Sequence, residues 1–328
     1  MYKSVAVAVL LVCTGVFLYP QEDRRLEQEK SVAGLNRQLT ESLHPLDYAP
    51  FVSGTKVTIL NEPVDINFTG ELPRLNGATA AFPVYAAFVQ ALYPPDTYYA
   101  RRKILDCSTT RYAYEALVEG RADIIFCYAP SKEQKQMAAE KGLQYHMVPI
   151  CKDAFVFFVN KNNPVQDMSL RQIRDIYTGR ISNWKDLGGN EEEIMAYQRN
   201  NGSGSQTAFL ALMGDETAIR EPPSEQVIEG MGMMIQRVAD YRNGMGALGY
   251  SFRFFTQEMA GNNLIRLMSI DGTSPTVANI RNGQYPFTET LYAITTGNES
   301  PDVQKFLDWV VSDQGQRLIE KVGYVPVR

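Results

Sequence analysis

Between Asp153 and Asn160 the chain reads Ala-Phe-Val-Phe-Phe-Val without a polar break, and this run constrains the fold more than any other stretch. A strand apolar on both faces must be covered on both, as in the middle of an α/β sheet. The flanking pattern agrees. Lys56 to Leu60 reads as a strand, Pro83 to Leu92 as a helix with proline at its first position, Ala122 to Cys127 as a strand, and Lys132 to Lys141 as a helix. Ser169 is placed to cap a helix running to Tyr177, Ala247 to Ser251 to return the chain to its first half, and Pro301 to Lys321 to form a closing helix. This alternation predicts an α/β protein whose sheets are mainly parallel and flanked by helices, with ligand loops at strand ends.

The chain has 328 residues, 45% of them hydrophobic and 21% charged, which is material for one large or two medium domains. A net charge of -5 argues against a nucleic-acid surface. It leaves a local anion site open, because binding follows the charges and dipoles that line a cleft. At the N-terminus, Lys3 precedes a mostly apolar stretch to Leu18, which reads as an export signal or an uncleaved anchor over residues 1–20. Cys13 suggests a lipid attachment site, but Val12 stands where a small residue is expected. Residues 21–55 are charge-rich, with Leu35, Leu39 and Leu43 at four-residue spacing, and read as a leader or stalk. Cys107, Cys127 and Cys151 have no metal-type spacing; they read as small buried side chains, with one disulfide among them left open.

Chemistry concentrates in three loops. Gln198 to Thr207 sets Arg199 beside Gly202, Ser203, Gly204 and Ser205, directly ahead of the apolar run from Ala208 to Met213. Glycines let successive N–H groups turn inward, serines add hydroxyl donors, and a helix starting near Ser205 aims its unpaired N–H groups at the same point. Thr79 and Ala80, ahead of the Pro83 helix, repeat the arrangement, as do Ser108 and Thr109 ahead of Tyr112. Each loop alone is only a helix cap. Together they suit a small oxyanion held by converging neutral dipoles and one guanidinium.

Other chemistries have less support. Ser203 lacks the glycine two residues before it that a nucleophile elbow requires, and His44 and His146 are the only histidines. No lysine follows the glycine-serine segment as in a phosphate loop, and no residues cluster as metal ligands. The 18 Tyr and 15 Phe sit mostly inside apolar periodic runs, which fits core packing better than a sugar or peptide cleft.

The pieces Gly77-Ala78-Thr79, Arg199 to Ser205, Tyr177 to Trp184, Asp313 to Gln316 and Gly323 to Pro326 resemble the phosphate-binding proteins of bacterial ABC uptake systems. The resemblance spans about Lys56 to Arg328. It implies a two-lobed, hinged solute-binding protein that is extracytoplasmic and not an enzyme, carries no cofactor, is monomeric and delivers its anion to a membrane permease. The implied lobes are 56–151 with 252–328, and 152–251. The implied contacts are Thr79, Ala80, Ser108, Thr109, Arg199, Ser203, Gly204 and Ser205.

Two positions depart from the family. Tyr128 stands where better-known members place the aspartate that accepts the proton of a protonated phosphate, and Asn201 replaces an aspartate two residues after the arginine. A protonated anion needs an acceptor that a fully ionised one such as sulfate does not. The choice between phosphate and sulfate therefore falls on Tyr128, Asn201 or an acid elsewhere in the chain. A membrane-tethered oxyanion sensor and an extracellular adhesion module are the alternatives in another class.

Overall fold

The computed structural model describes residues 45–64, 66–96, 104–240, 244–297 and 299–328. The expected signal or anchor, Cys13 and the leader up to residue 44 lie outside the described residues. No helix among the described residues is long and apolar enough to cross a membrane.

The strands are β1 (Leu75–Gly77), β2 (Ile124–Cys127), β3 (His146–Asn160), β4 (Asp167–Met168), β5 (Met195–Ala196), β6 (Gln198–Arg199), β7 (Val227–Ile228), β8 (Ala247–Phe252), β9 (Ile265–Leu267), β10 (Ser269–Ile270), β11 (Thr288–Thr295) and β12 (Val325–Pro326). A continuous sheet runs in the order β1-β2-β11-β3-β8-β5, with β12 and β9 also pairing to β3. The apolar run is indeed its spine: Phe155, Val156, Phe157, Phe158 and Val159 are all buried. Each such side chain contributes about 1.5–3 kcal/mol by leaving water.

β3 serves two halves of the sheet. Ala154 is the last residue in register with β11, opposite Thr288, and Phe155 is the first in register with β8, opposite Phe252. Parallel pairing occurs at the flanks, in β1–β2 and β5–β8, and in the small pairs β6–β7 and β4–β10. Every partner of β3 runs antiparallel to it. The cause is topological: β3 carries the chain out of the first half, so a strand that brings the chain back beside it must run the opposite way.

Local signals set most helix boundaries. Ser131 and Ser169 cap the helices Lys132–Glu140 and Leu170–Tyr177 with complete capping boxes to Gln134 and Gln172. The helix Phe82–Leu92 carries Pro83 in its first turn and buries Tyr85 and Phe88 against Phe126, with Phe306 and Trp309 also on Phe88. Two expectations need correction. Lys56 to Leu60 forms no strand; it is an irregular segment bound by side chains of the last helix, with Lys321 Nζ donating to the Ile59 carbonyl at 2.8 Å and Arg317 pairing with Glu62 at 3.0 Å. The closing helix is two helices, Pro301–Val310 and Asp313–Val322, because Ser312 leaves helical geometry and accepts the Gly315 N–H at 3.3 Å.

Cys107, Cys127 and Cys151 are free thiols, the last two buried. Burial pushes the Cys151 thiol well up and leaves it inert. His146, half exposed at the start of β3, pairs with Glu299 at 2.7 Å on the surface.

Candidate functional site

The first loop leaves β1 at Gly77. Thr79 to Ala81 make a single 3-10 turn in which Thr79 is half-buried, and Ala80 is fully buried with its carbonyl accepting the Tyr324 hydroxyl. Asn76, buried in β1, fastens this loop to the second. Its Oδ1 accepts the Gly77 N–H at 2.7 Å, the Ser108 N–H at 3.1 Å and the Ser108 hydroxyl at 2.9 Å. Ser108 therefore starts the helix Thr109–Val118 without capping it through its side chain. Burial raises the Cys107 thiol between these loops to about 11. Thr109 is held at φ 71°, a conformation a β-branched residue strongly disfavours. Backbone strain of this kind, of order 1–3 kcal/mol, collects at ligand clamps.

The third loop is built around Arg199, which is only 7% exposed. Its Nε donates to the Ile228 carbonyl at 2.7 Å, one terminal nitrogen to the Glu229 carbonyl at 2.6 Å, and the other to Ser205 Oγ at 3.3 Å. All three acceptors are neutral, and Arg199 makes no ion pair among the described residues. Burial lowers its pKa to about 10, so the guanidinium stays charged at neutral pH. Three of the five guanidinium donors are used in this bracing, which leaves two for a ligand.

The chain then turns through Gly202 at φ 80°, and Ser203 caps the helix Gly204–Met213 by accepting the Gln206 N–H at 3.2 Å. The Ser203 hydroxyl keeps its own proton to donate. Gln206, itself buried, accepts from the Arg199 backbone N–H at 2.9 Å and from the Tyr250 hydroxyl, locking the arginine's backbone to β8.

These loops meet. A Cβ on Gly204 would stand 2.9 Å from Thr110 Oγ1 and 3.7 Å from the Tyr128 ring, and one on Gly202 would lie 3.7 Å from the Arg111 side chain. Gln134 Nε2 donates across the same junction to the Gly202 carbonyl at 3.3 Å. Glycine at 204 is thus a condition for the third loop to close on the second.

Tyr128 is stacked on Phe252 at 3.6 Å between ring centroids, and its hydroxyl donates to Asp153 Oδ2 at 3.4 Å. Asp153 is fully buried and also accepts N–H groups from Ala154 at 2.8 Å and Phe254 at 3.2 Å. Its carboxyl is raised to about 6 because burial outweighs the favourable field of Arg253 and these hydrogen bonds. An acid thus stands directly behind Tyr128.

Of the residues singled out in the sequence, Thr79, Ser108, Thr109, Arg199, Ser203, Gly204 and Ser205 lie on the three loops, Tyr128 follows β2 and adjoins Gly204, and Ala80 contributes backbone only. Asn201 is exposed on the turn. Sequence reasoning missed Asn76, Thr110, Gln206 and Asp153, which hold the loops in place. Asp153 carried a signal, as a lone carboxylate at the mouth of the apolar run.

A sequence model of the PBP superfamily domain matches residues 72–314. The phosphate-binding protein PstS of Bacillus subtilis (strain 168) is 30% identical over 199 residues, covering 60% of this chain and 61% of that protein. A crystal structure described as a putative phosphate ABC transporter substrate-binding protein with bound phosphate, from Clostridium perfringens, is 27% identical with a TM-score of 0.62, covering 77% of this chain and 98% of that one. An ABC-type phosphate transport receptor from Vibrio cholerae shares the fold at 20% identity and a TM-score of 0.58, over 76% of this chain and 98% of that one.

Proposed function

The chain belongs to the PBP superfamily, and on that premise we propose that it is a solute-binding protein that captures an inorganic oxyanion, phosphate first, for delivery to an ABC permease outside the cytoplasm. The observation that carries this reading is the buried Arg199 guanidinium, braced by neutral acceptors beside the start of the helix Gly204–Met213, whose Gly204 packs against Thr110 and Tyr128 of the other half. A charge placed there at a helix N-terminus, with no carboxylate paired to it among the described residues, favours a small anion.

The lobes in this reading are 56–151 with 252–328 less β9, and 152–251 with β9, which pairs to β3 beyond the changeover at Ala154 and Phe155. Thr79, Ser108 and the strained Thr109 hold the anion on the first lobe. Closure adds Arg199, Ser203, Ser205 and the Gly204 N–H, and this added affinity shifts the open–closed equilibrium. Tyr128 donates its own proton to Asp153, so its hydroxyl oxygen has only lone pairs left to offer and acts as an acceptor for a protonated phosphate. Asn201, exposed on its turn, has no part in the contact set.

Calorimetric titration with phosphate and with sulfate at pH 6 and pH 8 tests the reading. Saturable phosphate binding that excludes sulfate is expected. Equal binding of sulfate, or no binding of either anion, overturns it.

A further inference from the structure

Arg253 follows β8 directly, and its side chain is 8% exposed. It lines a groove of about 730 Å³ together with Thr256, Ile265, Arg266 and Leu267. That volume lies within the range of small-molecule sites, roughly 300–1,000 Å³, whereas the cavity of about 110 Å³ beside Tyr177 and Pro223 falls below it.

The charges in the groove are incompletely matched. Arg253 meets Glu258 at 3.4 Å, but Glu258 is half exposed, so solvent screens the pair. Asp153 reaches Arg253 only through space, and its oxygens are occupied by Ala154, Phe254 and Tyr128. Arg266 gives its terminal nitrogens to the carbonyls of Lys161, Asn163 and Val165, all neutral. The buried Nε of both arginines has no acceptor among the described residues. Both guanidiniums are therefore incompletely satisfied by the protein itself.

We propose that this groove is a second ligand site that takes a small organic carboxylate. The carboxyl group seats on Arg253, whose planar fork matches two carboxylate oxygens. The carbon skeleton lies along Ile265 and Leu267, which give the groove an apolar wall that an inorganic anion would not use. The site is independent of the Arg199 loop, although the Phe254 N–H that binds Asp153 ties it to the strand joining the two halves.

The test is calorimetry on phosphate-saturated protein with benzoate and citrate, and with benzamide as the uncharged match for benzoate. Saturable binding of a carboxylate and none of benzamide is expected. Arg253→Lys, which keeps the charge and loses the fork, and Asn263→Trp, which fills the groove from an exposed position, should each weaken it at least tenfold while phosphate binding stays unchanged. If Arg253→Lys does not fold, Asn263→Trp decides alone. No saturation up to about 10 mM, equal binding of benzamide, or binding that survives Asn263→Trp overturns the proposal. Failure of phosphate to bind would count only against the cleft, because the groove titration reads separately.

Discussion

The two sides of the candidate anion site are built on opposite plans. The first side, Thr79 and Ser108, is neutral and held together by one amide, Asn76. The second side carries a full charge, Arg199, in a place almost free of water. A buried guanidinium paired with a carboxylate would be largely cancelled toward a ligand. Carbonyl and hydroxyl acceptors steady its geometry and leave its charge uncancelled. The difference teaches that one side supplies attraction and the other supplies fit.

The sharpest way to break that comparison is to remove the charge. Arg199→Ala should cost about 2–4 kcal/mol of phosphate affinity, roughly thirtyfold to a thousandfold, measured by calorimetry. A loss no larger than that of Ser108→Ala would put the two sides on equal terms and end the distinction.

Fit is tested next, at the seam. Gly204→Ala sets a methyl 2.9 Å from Thr110 Oγ1, so the halves can no longer close fully, and phosphate affinity should fall about tenfold. Adding Thr110→Ala removes the clashing hydroxyl and should restore most of it. If the double variant is as weak as the single one, the junction does not limit closure.

A further test, read on stability rather than on affinity, concerns the acid behind Tyr128. The Asp153 carboxyl lies near 3.8 in the unfolded chain and at about 6 in the folded protein, so between those values the folded state holds a proton that the unfolded state has released. Stability is therefore greatest below about pH 4 as far as this group is concerned, and falls by up to about 1.4 kcal/mol per unit as the pH rises to about 6. Asp153→Asn should flatten this segment of the pH profile in urea titrations. An unchanged slope would mean that another group titrates there.

Much of the site was legible in the sequence because its signals are local. Glycine at 202 and 204, Ser203 ahead of a helix, and Arg199 four residues upstream are all decided within one turn of chain. The bracing was not legible. Gln206 faces Tyr250, and Asn76 faces Ser108, only because separate strands and loops are brought together, and an isolated glutamine or asparagine gives no hint of that. The strand expected at Lys56 to Leu60 failed for a related reason: whether an apolar alternation joins a sheet depends on whether an edge is open to it, and here side chains of the last helix hold it outside.

By itself the sequence determined the α/β class, the apolar spine of β3, the serine-capped helix starts and the three loops rich in hydroxyl donors. These follow from the periodicity, capping and backbone freedom of neighbouring residues, which act over a few positions. Only the tertiary structure decided that the loops converge, that β3 is shared between two halves, and that Asp153 stands behind Tyr128 while Arg253 lines a separate groove. Those outcomes depend on close packing between residues far apart in the chain, where a missing Cβ at Gly204 or a buried carboxylate beside a ring has meaning only once its neighbour is in place.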